Sequence, residues 1–252
     1  MRIARIKTKS GPIHVAFVDG SWTEVKDIFA DSLEFGEKFD ESDLDLLSPV
    51  VPRVVMAMAH NGAKKEIERA PQAFHKSVHT IVGPNEPIHM DTSLGRLEIE
   101  GELTAVISKR ARNLTVESAL NFVLGFTIAN DVTAPEQTKI DHLLTQTKNG
   151  DGYTPLGPWI ETDLKNFDNV SILTYVNDEL VNTGSTGDLA RGVAEQLVYI
   201  TRYMTLYPGD ILLGGCPMIM FPVNPGDKVR IEIPGIGELK RSKQLTKKKG
   251  NN

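Results

Sequence analysis

The chain has 252 residues, of which 40% are hydrophobic and 24% charged, enough for one large domain or a large domain with a small one. Its net charge of −5 argues against a nucleic-acid surface, and the single cysteine, Cys216, excludes an intrachain disulfide and a zinc–thiolate site. No apolar run approaches the roughly 20 residues of a membrane span, and residues 1–9 carry no signal-peptide core. We therefore predict a cytoplasmic protein with neither nucleic-acid nor membrane partners.

Alternating apolar residues predict strands at the start of the chain. Residues 1–25 show the period of two that a half-buried strand has, with a turn signal at Gly11-Pro12. Residues 39–52 are acidic and then punctuated by prolines, which is typical of a linker. We predict a small β-rich N-terminal domain with its linker over residues 1–52, and a second domain over residues 53–252.

The rest of the chain combines many strands with few helices. The apolar run 54–59 predicts a buried strand that ends in a loop, and residues 94–108 predict a long strand region. Helices are predicted over residues 115–123, with Thr115 as N-cap, and over residues 188–204, where apolar residues recur at helical spacing. Further strands are predicted over residues 170–176, 179–183, 211–214, 218–221 and 228–233. The absence of regular βαβ alternation favours a mixed, mainly β fold of the α+β class.

Two neighbouring acidic residues are the first candidates for chemistry. Glu100 and Glu102 lie two residues apart, so on a strand both side chains point to the same face. Adjacent carboxylates repel each other unless a proton or a cation lies between them, and with Asp131 they supply the oxygen ligands that a hard divalent ion prefers. The alternative is an ordinary half-buried strand whose exposed face also carries Glu98, and periodicity alone favours it. The spacing leaves both interpretations open.

A loop rich in glycine and proline holds a second candidate pair. Lys148 and Asp151 lie three residues apart there. The lysine can neutralise a substrate carboxylate or an enolate, and the aspartate can hold the lysine in place. A surface turn with an exposed ion pair is an equal alternative.

The ends of two apolar segments supply the remaining candidates. His60 ends the run 54–59 and is a candidate for acid–base work, although a lone histidine is more often structural. Glu66 follows closely enough in the sequence for a loop to bring it back to His60. Gly215 lies in a Gly-Gly-Cys-Pro segment that can present backbone N–H groups to an anion. Cys216 has no basic neighbour in the sequence, which favours a packing role over that of a nucleophile.

Taken in order, these motifs resemble the fumarylacetoacetate hydrolase family over residues 53–239. Residues 100–107 resemble its Glu-x-Glu metal motif, and residues 129–132 resemble its Asn-Asp-Val motif. Residues 148–158 are similar to its Lys-x-x-Asp…Pro-x-Gly-Pro loop. Its Leu-x-Pro-Gly-Asp and Thr-Gly-Thr-Pro motifs have counterparts at residues 206–210 and 214–217.

The resemblance implies a rolled mixed β-sheet core, a homodimer, and a small-molecule 2-oxo acid substrate. It further implies Mg²⁺ or Mn²⁺ held by Glu100, Glu102 and Asp131. The candidate catalytic residues are His60, Glu66, Lys148 and Asp151. The candidate substrate-binding residues are Lys76, which keeps a Phe-x-Lys pattern, together with Gln137, Gly215 and Cys216.

One departure from the family pattern bears on the reaction. If His60 takes the Asn position of the family's Asn-Tyr-x-x-His-x-x-Glu stretch, Lys64 and Ile67 replace the His and Glu with which its hydrolases activate water. We therefore predict a metal-dependent isomerase/decarboxylase of 2-oxo or 2-hydroxy-dienoic dicarboxylic acids that acts through a stabilised enolate, similar to the family's branch in homoprotocatechuate breakdown. The alternatives are an acylpyruvate- or fumarylacetoacetate-type carbon–carbon hydrolase, an oxaloacetate decarboxylase, and a small-molecule-binding protein without activity.

Overall fold

A large mixed β-sheet runs through the computed structural model of the chain, which describes residues 1–240 and 246–247. The strands are β1 (Arg2–Thr8), β2 (Gly11–Val18), β3 (Ser21–Val25), β4 (Phe35–Phe39), β5 (Leu46–Leu47), β6 (Val55–Ala59), β7 (Gln72–Lys76), β8 (Ile81–Val82), β9 (His89–Met90), β10 (Leu97–Ile99), β11 (Gly101–Ile107), β12 (Val123–Asn130), β13 (Thr154–Glu161), β14 (Ser171–Val176), β15 (Glu179–Ser185), β16 (Ile211–Leu213), β17 (Phe221–Val223), β18 (Val229–Ile233), β19 (Gly237–Lys240) and β20 (Thr246–Lys247).

Helices are few and short by comparison. The α-helices are α1 (Val116–Ala119), α2 (Thr145–Lys148) and α3 (Val193–Tyr203). Single 3₁₀ turns cover Glu41–Asp43, Lys64–Glu68, Val78–Thr80, Thr92–Leu94, Leu120–Phe122, Pro135–Lys139 and Thr186–Asp188. No helix in the described ranges is long and apolar enough to cross a membrane.

The described strands form one dominant sheet and three smaller ones. The main path of the large sheet runs β4-β3-β2-β1-β13-β12-β11-β16-β6-β7, with β5 paired to β1 and β8 to β13. Strands β15-β14-β18-β19 form a second sheet, and β10 with β17 and β9 with β20 form two-stranded pairs. Most pairs are antiparallel, whereas β16 with β6, β13 with β8 and β20 with β9 run parallel. This arrangement confirms the predicted mainly β, α+β fold class.

The N-terminal strands continue the large sheet. The predicted alternation is confirmed, since Ile3, Ile6 and Val15 are buried. Strand β1 pairs with β13 in antiparallel register, so the first hairpins are joined directly to the body of the molecule. The turn prediction at Gly11-Pro12 was wrong by two residues, because both belong to β2 and the chain reverses just before them. The division at residue 52 stays a prediction.

The centre of the large sheet is covered on both sides. One face of β11 and β12 packs Leu103 and Ile128 against Ile172 and Ile231 of the second sheet. Elsewhere Ile107 joins the cluster that α3 covers with its buried residues. A strand that is enclosed on both faces has a continuous apolar sequence. The apolar run 54–59 therefore predicted β6 correctly.

A buried aspartate anchors the strand next to β11. The Oδ1 of Asp210 accepts hydrogen bonds from the backbone N–H groups of Arg53, at 3.1 Å, and Val54, at 2.8 Å. Its Oδ2 accepts one from the N–H of Tyr207 at 2.7 Å. The Pro-Gly-Asp turn therefore does more than reverse the chain, because its carboxylate ties the starts of β6 and β16 together.

Several element boundaries differ from those predicted. The region 94–108 is divided at Glu100, which lies between β10 and β11. The helix predicted from residue 188 begins only at Val193, since residue 188 ends a 3₁₀ turn and the N–H of Arg191 donates to Asn61 Oδ1. The helix after Thr115 ends at Ala119 in a 3₁₀ turn, and the strand predicted over residues 218–221 starts at Phe221.

Candidate active site

Two adjacent central strands bring the predicted carboxylates together. In the register of β11 and β12, Glu102 lies opposite Ala129 and Gly101 opposite Asn130, so Asp131 directly follows the paired region. The N–H of Asp131 donates to the carbonyl of Glu100 at 2.9 Å. Residues thirty apart in sequence thus become neighbours through ordinary antiparallel pairing.

The break in the strand at Glu100 is built by side-chain contacts. The backbone N–H of Glu100 donates to the Oδ1 of Asn130 at 3.1 Å. Its carboxylate Oε2 accepts from the hydroxyl of Thr133 at 2.8 Å. Sequence reasoning missed Thr133. Its position could have indicated it, because Thr133 lies two residues after Asp131 and side chains two apart on an extended chain point to the same face.

Two lysines meet these carboxylates. The Nζ of Lys148 lies 2.6 Å from Glu100 Oε2 and 2.6 Å from Asp131 Oδ2. The Nζ of Lys76 contacts Asp131 Oδ1 and donates to the carbonyl of Tyr153 at 3.0 Å. Lys148 also lies over the ring of Phe74, 5.5 Å from its centroid. The surface ion pair considered as an alternative for Lys148 is therefore wrong, since the lysine is buried and its partners are Glu100 and Asp131.

Glu102 is held from the other side by a glycine. The N–H of Gly215 donates to Glu102 Oε2 at 2.7 Å. Gly215 has a φ of +103°, and a Cβ there would lie 3.1 Å from the Cβ of Asn61, so a larger residue would be strained and crowded. The exposed-strand interpretation of the acidic segment is wrong as well, because Glu98 and Glu102 are both buried.

The charges in this cluster are unevenly compensated. Burial raises the pKa of the Glu102 carboxyl well above its usual value, and the negative charges of Asp131 and Glu100 raise it further. Burial also works against the ionised form of Asp131, but Lys148 and Lys76 outweigh it and hold its pKa below the usual value. For Lys148, burial is likewise outweighed by Asp131 and Glu100, which raise its pKa above the usual value. Of the three carboxylates, Glu102 is the one without an ion pair among the described residues, and Lys148 compensates its charge only in part.

The donor set matches the chemistry of a hard divalent cation. Three carboxylates face two ammonium groups, and Glu102 makes no ion pair among the described residues. In the part of the chain that the structure describes, no three Asp, Glu, His or Cys side chains converge on one ion-sized point, because the Lys148 ammonium lies between Glu100 and Asp131. Oxygen donors with a surplus negative charge fit such a cation once the lysine yields that position.

These groups open onto a single cavity of about 420 Å³. Its inner end is formed by Glu100, Glu102, Asp131 and Lys148. Its mouth is lined by His60, Glu66, Ile219 and Met220, which are more exposed. Of the other predicted residues, Gly215 and Cys216 line the cavity, while Lys76 supports it from behind through Asp131.

The histidine and glutamate predicted for proton transfer do meet at the mouth. His60 Nδ1 lies 3.9 Å from Glu66 Oε1 and 3.1 Å from the guanidinium NH1 of Arg69. Because arginine can only donate, the Nδ1 of His60 is the acceptor in this contact. The His60 side chain is 48% exposed and that of Glu66 is 21% exposed, so water reaches both. Their catalytic role stays a prediction.

Two predicted residues lie away from the cavity. Asp151 is exposed and does not hold Lys148, whose partners are Glu100 and Asp131. Gln137 donates through its Nε2 to the carbonyl of Leu94 at 2.9 Å and is not part of the lining. Both residues lie outside the strands, where position in the sequence does not determine side-chain direction.

Burial of the thiol supports the prediction for Cys216. The residue is 7% exposed. Burial raises the pKa of its thiol well above the usual value, and Glu100 and Glu102 raise it further. A thiolate is therefore disfavoured, in agreement with a packing residue that lines the cavity rather than a nucleophile.

Asn61, which sequence reasoning passed over, connects the mouth to the inner end. Its Nδ2 donates to the carbonyls of Gly214, at 2.7 Å, and Arg191, at 3.1 Å, and its Oδ1 accepts from the N–H of Arg191 at 2.9 Å. Counting the family stretch from this buried asparagine puts Lys65 and Glu68 at its His and Glu positions. The His–Glu pair is incomplete in this register too, because Lys65 replaces the histidine.

Comparison with known proteins identifies the family. Residues 51–242 match the model of the fumarylacetoacetate (FAA) hydrolase C-terminal domain. The chain belongs to this family, as the motifs predicted.

Three relatives indicate the range of reactions. A structure of 5-carboxymethyl-2-hydroxymuconate delta-isomerase from Mycobacterium smegmatis is 33% identical, with a TM-score of 0.90 over 96% of this chain and 98% of that one. The bifunctional isomerase/decarboxylase of 4-hydroxyphenylacetate degradation from Salmonella dublin is 34% identical over 68% of this chain and 39% of its own length. Fumarylacetoacetate hydrolase from Exiguobacterium antarcticum is 29% identical, with a TM-score of 0.87 over 98% of this chain and 100% of that one.

A more distant structure shares the fold. Maleylpyruvate hydrolase from a Sphingobium species, solved with manganese(II) and pyruvate, is 22% identical, with a TM-score of 0.79 over 96% of this chain and 98% of that one. Isomerases, a decarboxylase and hydrolases are therefore all found among proteins similar to this chain.

Proposed function

We propose that this protein is a divalent-metal-dependent isomerase/decarboxylase of 2-oxo or 2-hydroxy-dienoic acids, using Mg²⁺ or Mn²⁺. The observation that carries the proposal is the meeting of Glu100, Glu102, Asp131 and Lys148 at the inner end of one cavity. These groups suit a reaction that builds negative charge on an oxygen next to a carboxylate.

Each residue of the inner end has a distinct task. Glu100, Glu102 and Asp131 would hold the cation, which when bound polarises the 2-oxo group as a Lewis acid. Lys148 remains protonated, because its two carboxylate partners raise its pKa. It therefore acts as a positive charge that orients the substrate and stabilises an enolate, and not as a base.

We assign proton transfer to the residues at the mouth of the cavity. The ring of His60 can accept a proton and return it, and Glu66 lies 3.9 Å from its Nδ1. Isomerisation moves one proton between carbon and oxygen. Decarboxylation breaks the bond to a second carboxylate, β to the keto group or conjugated with it; the electron pair passes to the keto oxygen as an enolate, and a proton then takes the place of the carbon dioxide. Both need a single acid–base group beside a stabilised enolate, which this arrangement offers.

The names of relatives support the same class. The Salmonella relative is an isomerase/decarboxylase and the Mycobacterium smegmatis relative an isomerase. The structure that binds manganese(II) and pyruvate supports both a divalent metal and a 2-oxo acid.

Carbon–carbon hydrolysis is the second candidate. The observation in its favour is the approach of His60 to Glu66 beside exposed space, where a water molecule could be activated, together with similarity to a fumarylacetoacetate hydrolase. Against it stands the incomplete His–Glu pattern, in which a lysine replaces the histidine in either register.

A metal-dependence test with a substrate screen decides the matter. Calorimetry should show oxalate binding only when Mg²⁺ or Mn²⁺ is present. A panel of 2-oxo acids and acylpyruvates, followed by enol absorbance and carbon dioxide release, should show isomerisation or decarboxylation. Release of two carboxylic acid products would favour the hydrolase, and metal-independent oxalate binding would contradict the site assignment.

A further inference from the structure

Asp131 is bonded to a different lysine at each of its two carboxylate oxygens. The Nζ of Lys76 contacts Oδ1, and the Nζ of Lys148 lies 2.6 Å from Oδ2. The two lysines differ in their surroundings. The Lys148 side chain lines the cavity, whereas that of Lys76 is 0% exposed and does not line it. Oδ1 is therefore held from the protein interior, and Oδ2 is the oxygen whose partner borders the cavity.

Lys76 is held in place by the strands around it. It ends β7, opposite Val55 of β6, and its Nζ also donates to the carbonyl of Tyr153 at 3.0 Å. That carbonyl accepts a second hydrogen bond from the backbone N–H of Val132 at 3.1 Å, so backbone pairing sets its position. Lys148 can move into the cavity when a cation enters, whereas Lys76 would have to give up both partners inside the protein. We expect Lys76 to keep Oδ1 when a cation binds.

The other two carboxylates are held on one side in a similar way. Glu102 Oε2 accepts from the N–H of Gly215 at 2.7 Å, and Glu100 Oε2 accepts from the hydroxyl of Thr133 at 2.8 Å. Each of the three carboxylates thus has one oxygen engaged by a donor that does not have to leave. The contact with Lys76 is the most restrictive, because an ammonium group repels a cation at the same oxygen, whereas an amide or a hydroxyl carries no full charge.

The number of oxygens that a carboxylate offers bears on the size of the cation. Mg²⁺ requires a near-octahedral set of oxygens at about 2.1 Å, which suits carboxylates that bind through one oxygen each and leaves positions for water or substrate. Ca²⁺ takes roughly six to eight oxygens at about 2.4 Å, and carboxylates that bind through both oxygens help to supply them. A site that withholds the second oxygen of a carboxylate therefore favours the smaller ion.

We propose that Lys76 is a specificity-determining residue for the metal, because it withholds Oδ1 of Asp131 and so favours Mg²⁺ and Mn²⁺ over Ca²⁺. The inference rests on the proposed function, since it concerns the same cation. It differs from the substrate-binding role that the Phe-x-Lys pattern predicted, because the buried side chain of Lys76 meets a candidate metal ligand from behind the cavity.

Lys76→Met tests the inference, because it removes the ammonium group and keeps a long, flexible side chain. Asp131 retains Lys148 and the Tyr153 carbonyl retains the N–H of Val132, so the variant should fold, which circular dichroism checks. Binding of Mg²⁺ and Ca²⁺ is measured by competition with Mn²⁺, whose free ion is followed by electron paramagnetic resonance. The ratio of the Ca²⁺ Kd to the Mg²⁺ Kd should fall about tenfold in the variant. An unchanged ratio would overturn the inference.

Lys148→Met is the matched control, because it removes the lysine from the other oxygen of the same carboxylate. Since Lys148 occupies an oxygen that the cation takes, its loss should strengthen the binding of Mg²⁺ and Ca²⁺ alike and leave their ratio unchanged. If the ratio fell equally in Lys148→Met, loss of either ammonium group would have the same effect, and the assignment to Lys76 would be wrong.

The wild-type protein supplies a measurement that does not depend on the folding of a variant. It should bind Ca²⁺ at least about tenfold more weakly than Mg²⁺, and equal binding would overturn the inference even if Lys76→Met failed to fold. If Mn²⁺ did not bind to the wild-type protein, the proposed function would fail and the selectivity inference with it. If Mn²⁺ bound and Lys76→Met kept the wild-type ratio, only the selectivity inference would fail.

Discussion

The two ends of the cavity are built in different ways. At the inner end, Glu102 lies on a central strand and Asp131 directly follows the neighbouring strand. At the mouth, His60 and Glu66 lie on a loop and a short 3₁₀ turn, with exposed side chains. Strand pairing holds the first set rigidly, whereas only a few polar contacts hold the second.

Under the proposed function, this difference separates the groups that stabilise charge from the group that transfers a proton. Stabilising an enolate needs charges that do not relax, and buried groups on paired strands meet that need. Moving a proton needs a group that reaches solvent and substrate alike, which suits a loop. Mutations at the inner end should therefore reduce activity far more than mutations at the mouth.

The largest effect is expected for Glu102→Gln. Because Glu102 is the carboxylate without a compensating ion pair, its loss should remove Mn²⁺ binding and reduce turnover about a thousandfold. Calorimetry with Mn²⁺ and a steady-state assay on a 2-oxo acid measure both quantities.

Glu98→Gln is the matched control for this position. Glu98 belongs to the same acidic segment but pairs with Arg96 at 2.8 Å and does not line the cavity. Full activity in Glu102→Gln, or equal loss in Glu98→Gln, would contradict the assignment of Glu102.

A loss of about a hundredfold is expected for Lys148→Met. Without metal, the variant should also lose about 3 kcal/mol of unfolding free energy, since two buried carboxylates lose their shared cation. Mn²⁺ should stabilise this variant more than the wild-type protein, because the ion replaces the missing charge and binds only the folded state. Thermal unfolding with and without Mn²⁺ measures this.

Lys165→Met controls for loss of a lysine. Lys165 pairs with Asp163 on the surface, where both side chains are mostly exposed, so its removal should change stability by less than about 0.5 kcal/mol. If Mn²⁺ stabilised Lys148→Met no more than wild type, the lysine and the metal would not share these carboxylates.

Asn61→Ala tests the link between the two ends. The variant leaves the buried carbonyl of Gly214 and the N–H of Arg191 with fewer partners, at a cost of about 2 kcal/mol in unfolding free energy. Turnover should fall about tenfold, because Gly215 no longer holds Glu102 as firmly. Urea unfolding measures the stability and steady-state kinetics the turnover. Asn121→Ala is the control, because Asn121 is exposed. Unchanged stability in Asn61→Ala would show that the two ends are independent.

The smallest effect is expected at the mouth. His60→Ala should reduce turnover about tenfold without loss of Mn²⁺ binding, because water can partly replace an exposed acid–base group. Stability should stay within about 0.5 kcal/mol of wild type, and added imidazole should restore part of the activity. Loss of Mn²⁺ binding, or failure of imidazole to help, would argue that His60 has a structural role.

Local patterns predicted much of the fold. The run 54–59 predicted β6, and alternation predicted the N-terminal strands, because side-chain periodicity depends only on which faces are buried. The strands predicted over residues 170–176 and 179–183 are confirmed as β14 and β15, and Asn177 and Asp178 between them adopt the positive φ that a tight hairpin turn requires. The late start of α3 was missed, because it depends on a tertiary contact between Arg191 and Asn61.

The site shows the same division between what the sequence determined and what tertiary structure decided. The sequence by itself determined the family, the fold class and the candidate carboxylates Glu100, Glu102 and Asp131. The reason is that these carboxylates belong to ordered motifs on or next to strands, where the backbone repeat fixes which side chains share a face. Only the tertiary structure decided that Lys148 bridges two of those carboxylates, that Gln137 and Asp151 lie elsewhere, and that Asn61 joins both ends. The physical reason is that strand register places residues by a fixed repeat, whereas the direction of a loop side chain depends on partners distant in sequence.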